Sequence, residues 1–193
     1  MDQARAKWEA RYAAAEYIHG TAPVPFLVEQ LPHLKKGRAL CLAAGEGRNA
    51  VFLARQGFAV TAIDIAQSAL DKCRALADQY QLELQTVRAD LSDFDLGRDR
   101  WELVTNLFYL QRDLFPRAME ALTPGGHFLV QTYSIDQPAQ GFGPSNPDFL
   151  LKPGELLAAF APYRIRYYQD GLVAAPDEGG NRQAAVIRLV VEK

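Results

Sequence analysis

The segment from Arg38 to Asp64 carries the residues whose types and spacing could hold a nucleoside. An apolar run from Ala39 to Ala44 leads into the turn Gly45-Glu46-Gly47, where the backbone can pass close to a ligand. A second apolar run, from Phe58 to Ile63, ends at the carboxylate of Asp64. A carboxylate accepts two hydrogen bonds, and the two adjacent hydroxyls of a ribose offer them. The pattern therefore predicts a nucleoside site at the carboxyl ends of two parallel strands.

The residues of this segment leave two alternatives open. Gly45, Gly47 and Ala50 also fit the looser dinucleotide fingerprint, in which Asp64 follows Gly45 by 19 residues. The alternative role for Asp64 is that of an acid that only caps the next turn of the chain. A glycine pattern alone does not select the cofactor, so the choice depends on the rest of the sequence.

Composition and charge exclude several classes of function. The chain has 193 residues and a net charge of −2 with a pI near 5.9, so it shows no bulk attraction for nucleic acid or an acidic membrane. Its two cysteines, Cys41 and Cys73, and its three histidines lack the spacing of metal ligands, and no metal site is predicted. The sequence contains no apolar run of membrane-spanning length and begins without a hydrophobic signal region, which predicts a cytoplasmic protein. The oligomeric state stays open.

Alternating apolar and helical segments predict the elements that position the site. Strand patterns and helical patterns follow one another in the order βαβαβ and then βαβ, which indicates a mainly parallel sheet with helices on both faces. After Asp64, Ser68 is the predicted N-cap of the next helix. Two further strands near the end of the chain, joined by a turn at residues 175–181, predict an antiparallel hairpin at the sheet edge.

The length predicts a single domain, residues 1–193, with two distinctive segments. Residues 1–36 are expected to form an N-terminal helical cap, with a first helix over residues 3–17 and a second starting at Phe26. Residues 136–152 are rich in Gly and Pro and show neither helical nor strand periodicity. Long loops of this kind are often functional, so we expect a substrate-side loop, the alternative being a surface excursion.

Motifs along nearly the whole chain resemble those of class I S-adenosylmethionine-dependent methyltransferases. The matching residues are the glycine loop Ala43–Gly47, the acids Asp64 and Asp90, Asn106-Leu107-Phe108, and Leu122–Gly126. The chain departs from the family in carrying Cys41 where an acid is common and Ala43 where a glycine is usual. The resemblance implies an α/β fold, a Rossmann-like three-layer sandwich with a mainly parallel seven-stranded sheet and an antiparallel terminal strand.

A second set of motifs resembles the small tellurite-resistance-type methyltransferases within that family. It comprises the run from Gly45 through Arg48-Asn49 to Ala54, Trp8 with Arg11-Tyr12, Tyr17 to Pro23, and Gly143 to Pro147 before Glu155.

The family resemblance implies S-adenosylmethionine as the cofactor and assigns roles to individual residues. Asp64 is expected to bind the ribose, Asp90 the adenine amino group, and Asn106 to lie near the methionine moiety. Tyr12 and Tyr17 are expected to form a lid over the cofactor, with core packing as the open alternative. The remaining residues assigned to the cofactor site are Ala43, Gly45, Gly47, Asn49, Ile65 and Leu91.

The implied reaction is methyl transfer to a small-molecule acceptor by in-line displacement. A sulfonium is already an activated donor, so the protein mainly has to align the acceptor and exclude water, and no catalytic residue is assigned. Tyr109, Tyr133 and Phe142 could line the acceptor pocket, and Arg11 and Arg112 could either attract an anionic acceptor or remain solvated. The alternatives are an NAD(P)-dependent oxidoreductase and a non-catalytic nucleotide-binding module.

Overall fold

Seven strands form one sheet in the computed structural model, which describes residues 2–175 and 182–193. The strands are β1 (Arg38–Leu42), β2 (Ala59–Asp64), β3 (Gln85–Arg88), β4 (Trp101–Leu107), β5 (Leu122–Tyr133), β6 (Arg164–Ala174) and β7 (Gln183–Glu192). Their spatial order is β3-β2-β1-β4-β5-β7-β6. Strands β1 to β5 are parallel, and β7 runs antiparallel to both of its neighbours. The predicted fold class is therefore confirmed, and the turn predicted between β6 and β7 falls largely at residues 176–181, outside the described residues.

Helices cover both faces of the sheet because successive strand residues point to opposite sides. The helices are α1 (Asp2–Tyr12), α2 (Pro25–Gln30), α3 (Arg48–Arg55), α4 (Gln67–Gln79), α5 (Leu114–Ala121) and α6 (Glu155–Ala159). Apolar residues of α2, α3 and α4 pack with Cys41 and Leu103 on one face. Residues of α5 and α6 pack with Leu40 and Val104 on the other. Among the described residues, no helix combines the length and apolarity that crossing a bilayer requires.

The first helix is shorter than the sequence predicts. The alanine-rich stretch favours a helix to residue 17, but α1 ends at Tyr12. The backbone amide of Ile18 donates instead to the Glu46 carboxylate at 2.8 Å, and the Tyr17 hydroxyl donates to the carbonyl of Lys72 at 3.1 Å. These tertiary contacts override the helix propensity of residues 13–17.

The N-cap of α4 also differs from the prediction. Ser68 lies inside the helix, and Ala66 occupies the cap position without a side-chain hydrogen bond. The carboxylate of Glu9, on α1, accepts from the backbone amides of Gln67 at 2.7 Å and Ser68 at 3.0 Å. The Glu9 carboxylate therefore accepts the hydrogen bonds that the side chain of a local N-cap residue would otherwise accept.

The Leu122–Gly126 turn lies inside β5 as an irregularity of the strand. Trp101 pairs with Leu122 and Leu103 pairs with His127, so the register shifts between these two pairs. Gly125 has a φ of +72°, which a residue with a side chain rarely adopts. The predicted turn therefore appears as a bulge, and the strand begins five residues earlier than its regular part.

The glycine- and proline-rich segment 136–152 is fastened to the sheet. It contains two short 3₁₀ turns, Gln137–Gln140 and Pro147–Phe149. The Gln137 side chain is fully buried, donates to the carbonyl of Phe142 at 2.9 Å and accepts from the amide of Ala185 at 2.8 Å. The amide of Leu151 donates to the carbonyl of Tyr133 at 2.9 Å. The segment is thus held beside the carboxyl end of β5.

His127 provides a pH-dependent contribution to stability that can be tested. Its Nδ1 accepts from the backbone amide of Lys35 at 3.2 Å, and burial lowers the pKa of the imidazole. The unfolded chain therefore takes up the proton more readily, so this contribution is complete above the unfolded pKa of about 6.5 and is lost as the pH falls. Urea denaturation between about pH 7.5 and 5 should show a steeper loss of unfolding free energy for the wild type than for His127→Asn. Identical slopes would contradict this role, since all carboxylates are common to both proteins.

Candidate active site

The carboxyl ends of four strands meet along one edge of the sheet. Strands β2 and β3 lie on one side of β1, whereas β4 and β5 lie on its other side. Strands β1 and β4 are therefore neighbours at a topological switch point. The last residue of β1, Leu42, pairs with Asn106 of β4. The amide of Ala89 donates to the carbonyl of Asp64 at 3.0 Å, which joins the ends of β2 and β3. Ligands of open α/β sheets bind at this kind of crevice.

The glycine loop depends on left-handed backbone conformations. Ala43, Gly45 and Gly47 have φ values of +47°, +55° and +90°. A Cβ added to Gly47 would lie 2.3 Å from the Sγ of Cys73, so α4 packs directly against the loop at this point. Ala43 adopts the conformation of the glycine it replaces, which costs about 1–2 kcal/mol for a residue with a Cβ.

Asp64 connects the loop to the end of β2. Its carboxylate is 7% exposed, and it accepts from the amides of Gly45 at 2.8 Å and Ala66 at 3.0 Å. Burial raises the pKa of this carboxyl, and the backbone hydrogen bonds partly oppose that effect. Asp64 therefore caps the following turn and also fixes the glycine loop. Each carboxylate oxygen keeps a second lone pair with which it could accept from a hydroxyl.

Tyr12 covers the glycine loop from the N-terminal segment. Its hydroxyl lies 3.2 Å from the position that a Cβ on Gly45 would occupy, and its ring stacks on Trp8 with centroids 5.6 Å apart. Burial, followed by the negative charges of Asp64 and Glu46, raises the pKa of Tyr12, so the phenol stays neutral. The structure thus brings Tyr12, Gly45 and Asp64 together.

Tyr17 and Asn49 have partners other than the loop edge. The Tyr17 hydroxyl donates to the carbonyl of Lys72 on α4, as described for the end of α1. The Oδ1 of Asn49 accepts from the amide of Val24 at 2.9 Å. Both side chains hold the N-terminal segment against α3 and α4.

The end of β3 supplies the second acid of the edge. Asp90 is half-buried, and its Oδ1 accepts from the amide of Ser92 at 2.9 Å. Leu91 is 5% exposed and packs into the core, while Ile65 next to Asp64 is half-buried. Asp90 and Ile65 therefore keep accessible surface at the edge, and Leu91 keeps little.

Tyr109 lies within electrostatic reach of both acids. Burial, together with the charges of Asp90, Asp113 and Asp64, raises the pKa of Tyr109 to about 12. Its hydroxyl donates to Oε1 of Gln111 at 2.7 Å. This phenol is a neutral hydrogen-bonding group near pH 7 and is poorly suited to act as a base.

Asn106 is a buried amide at the end of β4 without a protein partner. It is fully buried, and neither its Oδ1 nor its Nδ2 has a hydrogen-bond partner. Leaving both amide atoms unpaired costs about 1–3 kcal/mol per group. Buried amides are therefore nearly always hydrogen-bonded, and an unpaired one indicates a partner from outside the chain. Its position beside Leu42, where the glycine loop begins, is where a bound ligand could supply that partner.

Comparisons with known proteins agree with this geometry. Residues 39–126 match the family model of a methyltransferase domain. The chain is 26% identical over 162 residues to the ubiquinone biosynthesis O-methyltransferase of Alkalilimnicola ehrlichii, an alignment covering 79% of this chain and 65% of that protein. The chain thus spans just under two thirds of the length of this relative. Residues 39–126 therefore correspond to a methyltransferase domain.

Solved structures share the fold of this chain. TehB from Haemophilus influenzae superposes with a TM-score of 0.75 at 19% identity, covering 90% of this chain and 63% of that chain. An S-adenosylmethionine-dependent methyltransferase from Mesorhizobium loti gives a TM-score of 0.67 at 18% identity, covering 88% of this chain and 96% of that chain. At these identities the likeness shows the fold.

An aromatic group lies beyond β4 and β5. Phe108 has a φ of +59°, an unusual conformation for a bulky residue, and its ring centroid lies 5.1 Å from that of Tyr133. Phe142 from segment 136–152 packs in the same cluster. All three rings are half-buried, so they offer an apolar surface next to the carboxyl ends of the strands.

Arg112 makes structural contacts while its side chain remains 44% exposed. Its Nε pairs with Oε1 of Glu155 at 2.6 Å, and its other nitrogens donate to the carbonyls of Asp148 and Leu150, both at 3.0 Å. The guanidinium therefore braces segment 136–152 and α6. The guanidinium of Arg11 lies 5.4 Å from the ring centroid of Trp8.

Two carboxylates of this chain have structural roles that the sequence did not predict. Glu46, inside the glycine turn, and Glu9, on α1, both accept hydrogen bonds from distant backbone amides. The sequence did indicate a special role for Glu46, because a charged side chain between two glycines has no evident function within the turn itself. No group of three or more His, Cys, Asp or Glu residues that could hold a metal ion occurs within residues 2–175 and 182–193.

Proposed function

We propose that this protein transfers the methyl group of S-adenosylmethionine to a small-molecule acceptor by in-line displacement. The observation that carries the proposal is the carboxylate of Asp64, which is bound to the backbone of Gly45 at the edge where β1 and β2 end. A matching family model and the O-methyltransferase relative support the same reaction.

The residues of the edge fit the parts of this cofactor. We assign the ribose hydroxyls to Asp64, the adenine amino group to Asp90, and the adenine ring to the surface between Ile65 and Leu91. The methionine end would supply the partner that the Asn106 amide lacks. Gly45 and Gly47 allow backbone approach, the carbonyl of Ala43 can accept from the ammonium group, and Tyr12 covers the bound molecule.

The charge around the edge favours a cationic ligand over a dinucleotide. Asp64 lies within electrostatic reach of Glu9 and of Tyr12, whereas Lys72 pairs with the nearby Glu46 and so neutralises its charge. Asp90 and Asp64 likewise act on Tyr109. Such a set of carboxylates attracts a sulfonium and an ammonium group and repels a pyrophosphate or a ribose phosphate. This physical argument favours S-adenosylmethionine over NAD(P).

The bound cofactor would supply a methyl carbon already activated by its positive sulfur. The protein's own residues then have to align the acceptor and keep water out. We assign the acceptor to the surface of Phe108, Tyr133 and Phe142, with segment 136–152 as the substrate-side loop. The acceptor lone pair would form the new bond to the methyl carbon as the carbon–sulfur bond breaks, and an acceptor that is already anionic or readily deprotonated would need no basic side chain.

The proposal also covers the domain bounds, the classes of acceptor and the cellular location of the protein. We treat residues 1–193 as a single domain in which residues 1–36 cap the cofactor. The resemblance to tellurite-resistance-type enzymes makes small oxyanions one acceptor class to test, beside thiols and phenols. The low net charge supports a cytoplasmic enzyme without nucleic-acid or membrane partners.

Calorimetric titration distinguishes the proposed function from its alternatives. We expect S-adenosylmethionine and S-adenosylhomocysteine to bind at one site, and NAD(H) and NADP(H) not to bind. A screen of oxyanions of tellurium and selenium, thiols and phenols should then release S-adenosylhomocysteine with one acceptor class. Binding of NAD(H) alone would indicate an oxidoreductase, and occupancy without turnover for every acceptor would indicate a binding module.

A further inference from the structure

Glu46 has a buried carboxylate that joins the glycine loop to two other segments. Its side chain is 4% exposed. Oε2 accepts from the backbone amide of Ile18 at 2.8 Å, and Oε1 accepts from Nζ of Lys72 at 2.7 Å. Both carboxylate oxygens therefore have partners, one from the N-terminal segment and one from α4. A buried carboxylate needs such partners, because an isolated buried charge is strongly destabilising.

Lys72 extends this connection to the residues that follow α1. Its Nζ also donates to the carbonyl of Glu16 at 2.8 Å, and its own carbonyl accepts from the Tyr17 hydroxyl at 3.1 Å. The ammonium lies 5.6 Å from the centroid of the Tyr17 ring. Lys72 is thus held between Glu46 and three groups of residues 16–17.

The neighbours of Glu46 in sequence hold the same segment. Nη1 of Arg48 donates to the carbonyl of His19 at 2.9 Å, and Oδ1 of Asn49 accepts from the amide of Val24 at 2.9 Å. Residues 16–24, here named the strap, are therefore bonded to the side chains of Glu46, Arg48 and Asn49 around the start of α3. The strap follows α1 after residues 13–15, and α1 carries Tyr12 against Gly45.

We propose that Glu46 is a positioning residue of the cofactor site: it fixes the strap to the glycine loop and thereby holds Tyr12 over Gly45. Because Tyr12 covers Gly45, release of a ligand from the loop is expected to require movement of α1 and the strap. Breaking the Glu46 contacts should therefore act mainly on the dissociation rate of the cofactor, as most affinity changes within one site do. This inference rests on the proposed function, since it concerns the same cofactor.

The test compares Glu46→Ala and Glu46→Gln with a matched control. Glu102 has the same chemistry at the opposite edge of the sheet, where its carboxylate accepts from the amide of Arg38 at 2.7 Å and pairs with the Arg38 guanidinium at 3.2 Å. Glu102→Ala therefore removes an equivalent pair of contacts away from the glycine loop. Lys72→Met, combined with Glu46→Gln, tests whether the two side chains act as one unit.

We expect Glu46→Ala to bind S-adenosylmethionine roughly 10- to 100-fold more weakly, chiefly through faster dissociation, as for a lost charged hydrogen-bond pair. Glu46→Gln should retain part of the affinity, because its amide oxygen can still accept from Ile18. The effects of Glu46→Gln and Lys72→Met should be less than additive. Glu102→Ala should lower the melting temperature while leaving the dissociation constant within about twofold.

Limited trypsin digestion of the ligand-free proteins separates this inference from the proposed function. Release of the strap should speed cleavage after Lys7 and Arg11 in Glu46→Ala but not in Glu102→Ala, whatever ligand the protein binds. The role of Glu46 would be overturned if Glu46→Ala were digested at the same rate as the wild type. It would also be overturned if this variant bound the cofactor as tightly as the wild type or more tightly. A wild type that binds no S-adenosylmethionine would refute the proposed function, while the digestion would still test the strap.

Discussion

Gly47→Ala is expected to destabilise the protein by about 2–5 kcal/mol and to abolish cofactor binding. The new Cβ would lie 2.3 Å from Sγ, 2.7 Å from Cβ and 2.9 Å from Cα of Cys73, and the residue would keep a φ of +90°. Strain in the backbone and overpacking against α4 therefore act together. Either α4 or the loop must move, and both carry contacts of the cofactor site.

Gly57→Ala is the matched control for this substitution. Gly57 has a similar φ of +85°, but a Cβ there would meet no atom within 4 Å. Gly57→Ala should lower the free energy of unfolding by only about 1–2 kcal/mol, because the sole penalty is the left-handed backbone conformation. It should leave the affinity for S-adenosylmethionine unchanged. Urea denaturation and calorimetry measure both quantities, and equal stability losses for the two variants would contradict the packing argument.

A double variant sharpens the prediction. Cys73→Ala removes only the sulfur and leaves the Cβ and Cα that also approach Gly47 too closely. Adding Cys73→Ala to Gly47→Ala should therefore recover only part of the lost stability. Complete recovery would show that the thiol alone requires glycine at position 47.

Asp64→Asn is expected to weaken binding of S-adenosylmethionine about 100-fold, corresponding to about 2.7 kcal/mol. The carboxylate accepts from Gly45 and Ala66 and has remaining lone pairs for the ribose. An asparagine keeps one accepting oxygen but presents an NH₂ group in place of the other, either to the amide of Gly45 or to that of Ala66. The variant should therefore retain the fold with a reduced melting temperature. Asp64→Ala is less informative, because it leaves both buried amides without an acceptor.

Asp95→Asn is the control for Asp64→Asn. The Oδ1 of Asp95 accepts from the amide of Gly97 at 2.9 Å in an exposed turn away from the strand ends. Calorimetry should give this variant the affinity of the wild type. An unchanged affinity for Asp64→Asn would remove Asp64 from the site.

The sequence by itself determined the sheet and predicted the edge at which we propose the cofactor site. Apolar runs and helical stretches alternate locally, and this periodicity is sufficient to predict strands β1 to β5 and their parallel arrangement. The glycine turn and Asp64 could be recognised because a left-handed turn next to a strand end restricts the residue types it accepts. The hydrogen bond between Gly45 and Asp64 is consistent with that prediction.

Only the tertiary structure decided how the N-terminal residues meet this edge. The contact between Glu9 and Gln67 joins residues 58 positions apart, and that between Ile18 and Glu46 joins residues 28 positions apart. Local propensity favoured Ser68 as the cap of α4 and a helix as far as residue 17. Neither prediction could include a partner that is brought close only by folding of the whole chain. Hydrogen bonds to the carboxylates of Glu9 and Glu46 outweigh propensities of a few tenths of a kcal/mol per residue, so the fold set these positions.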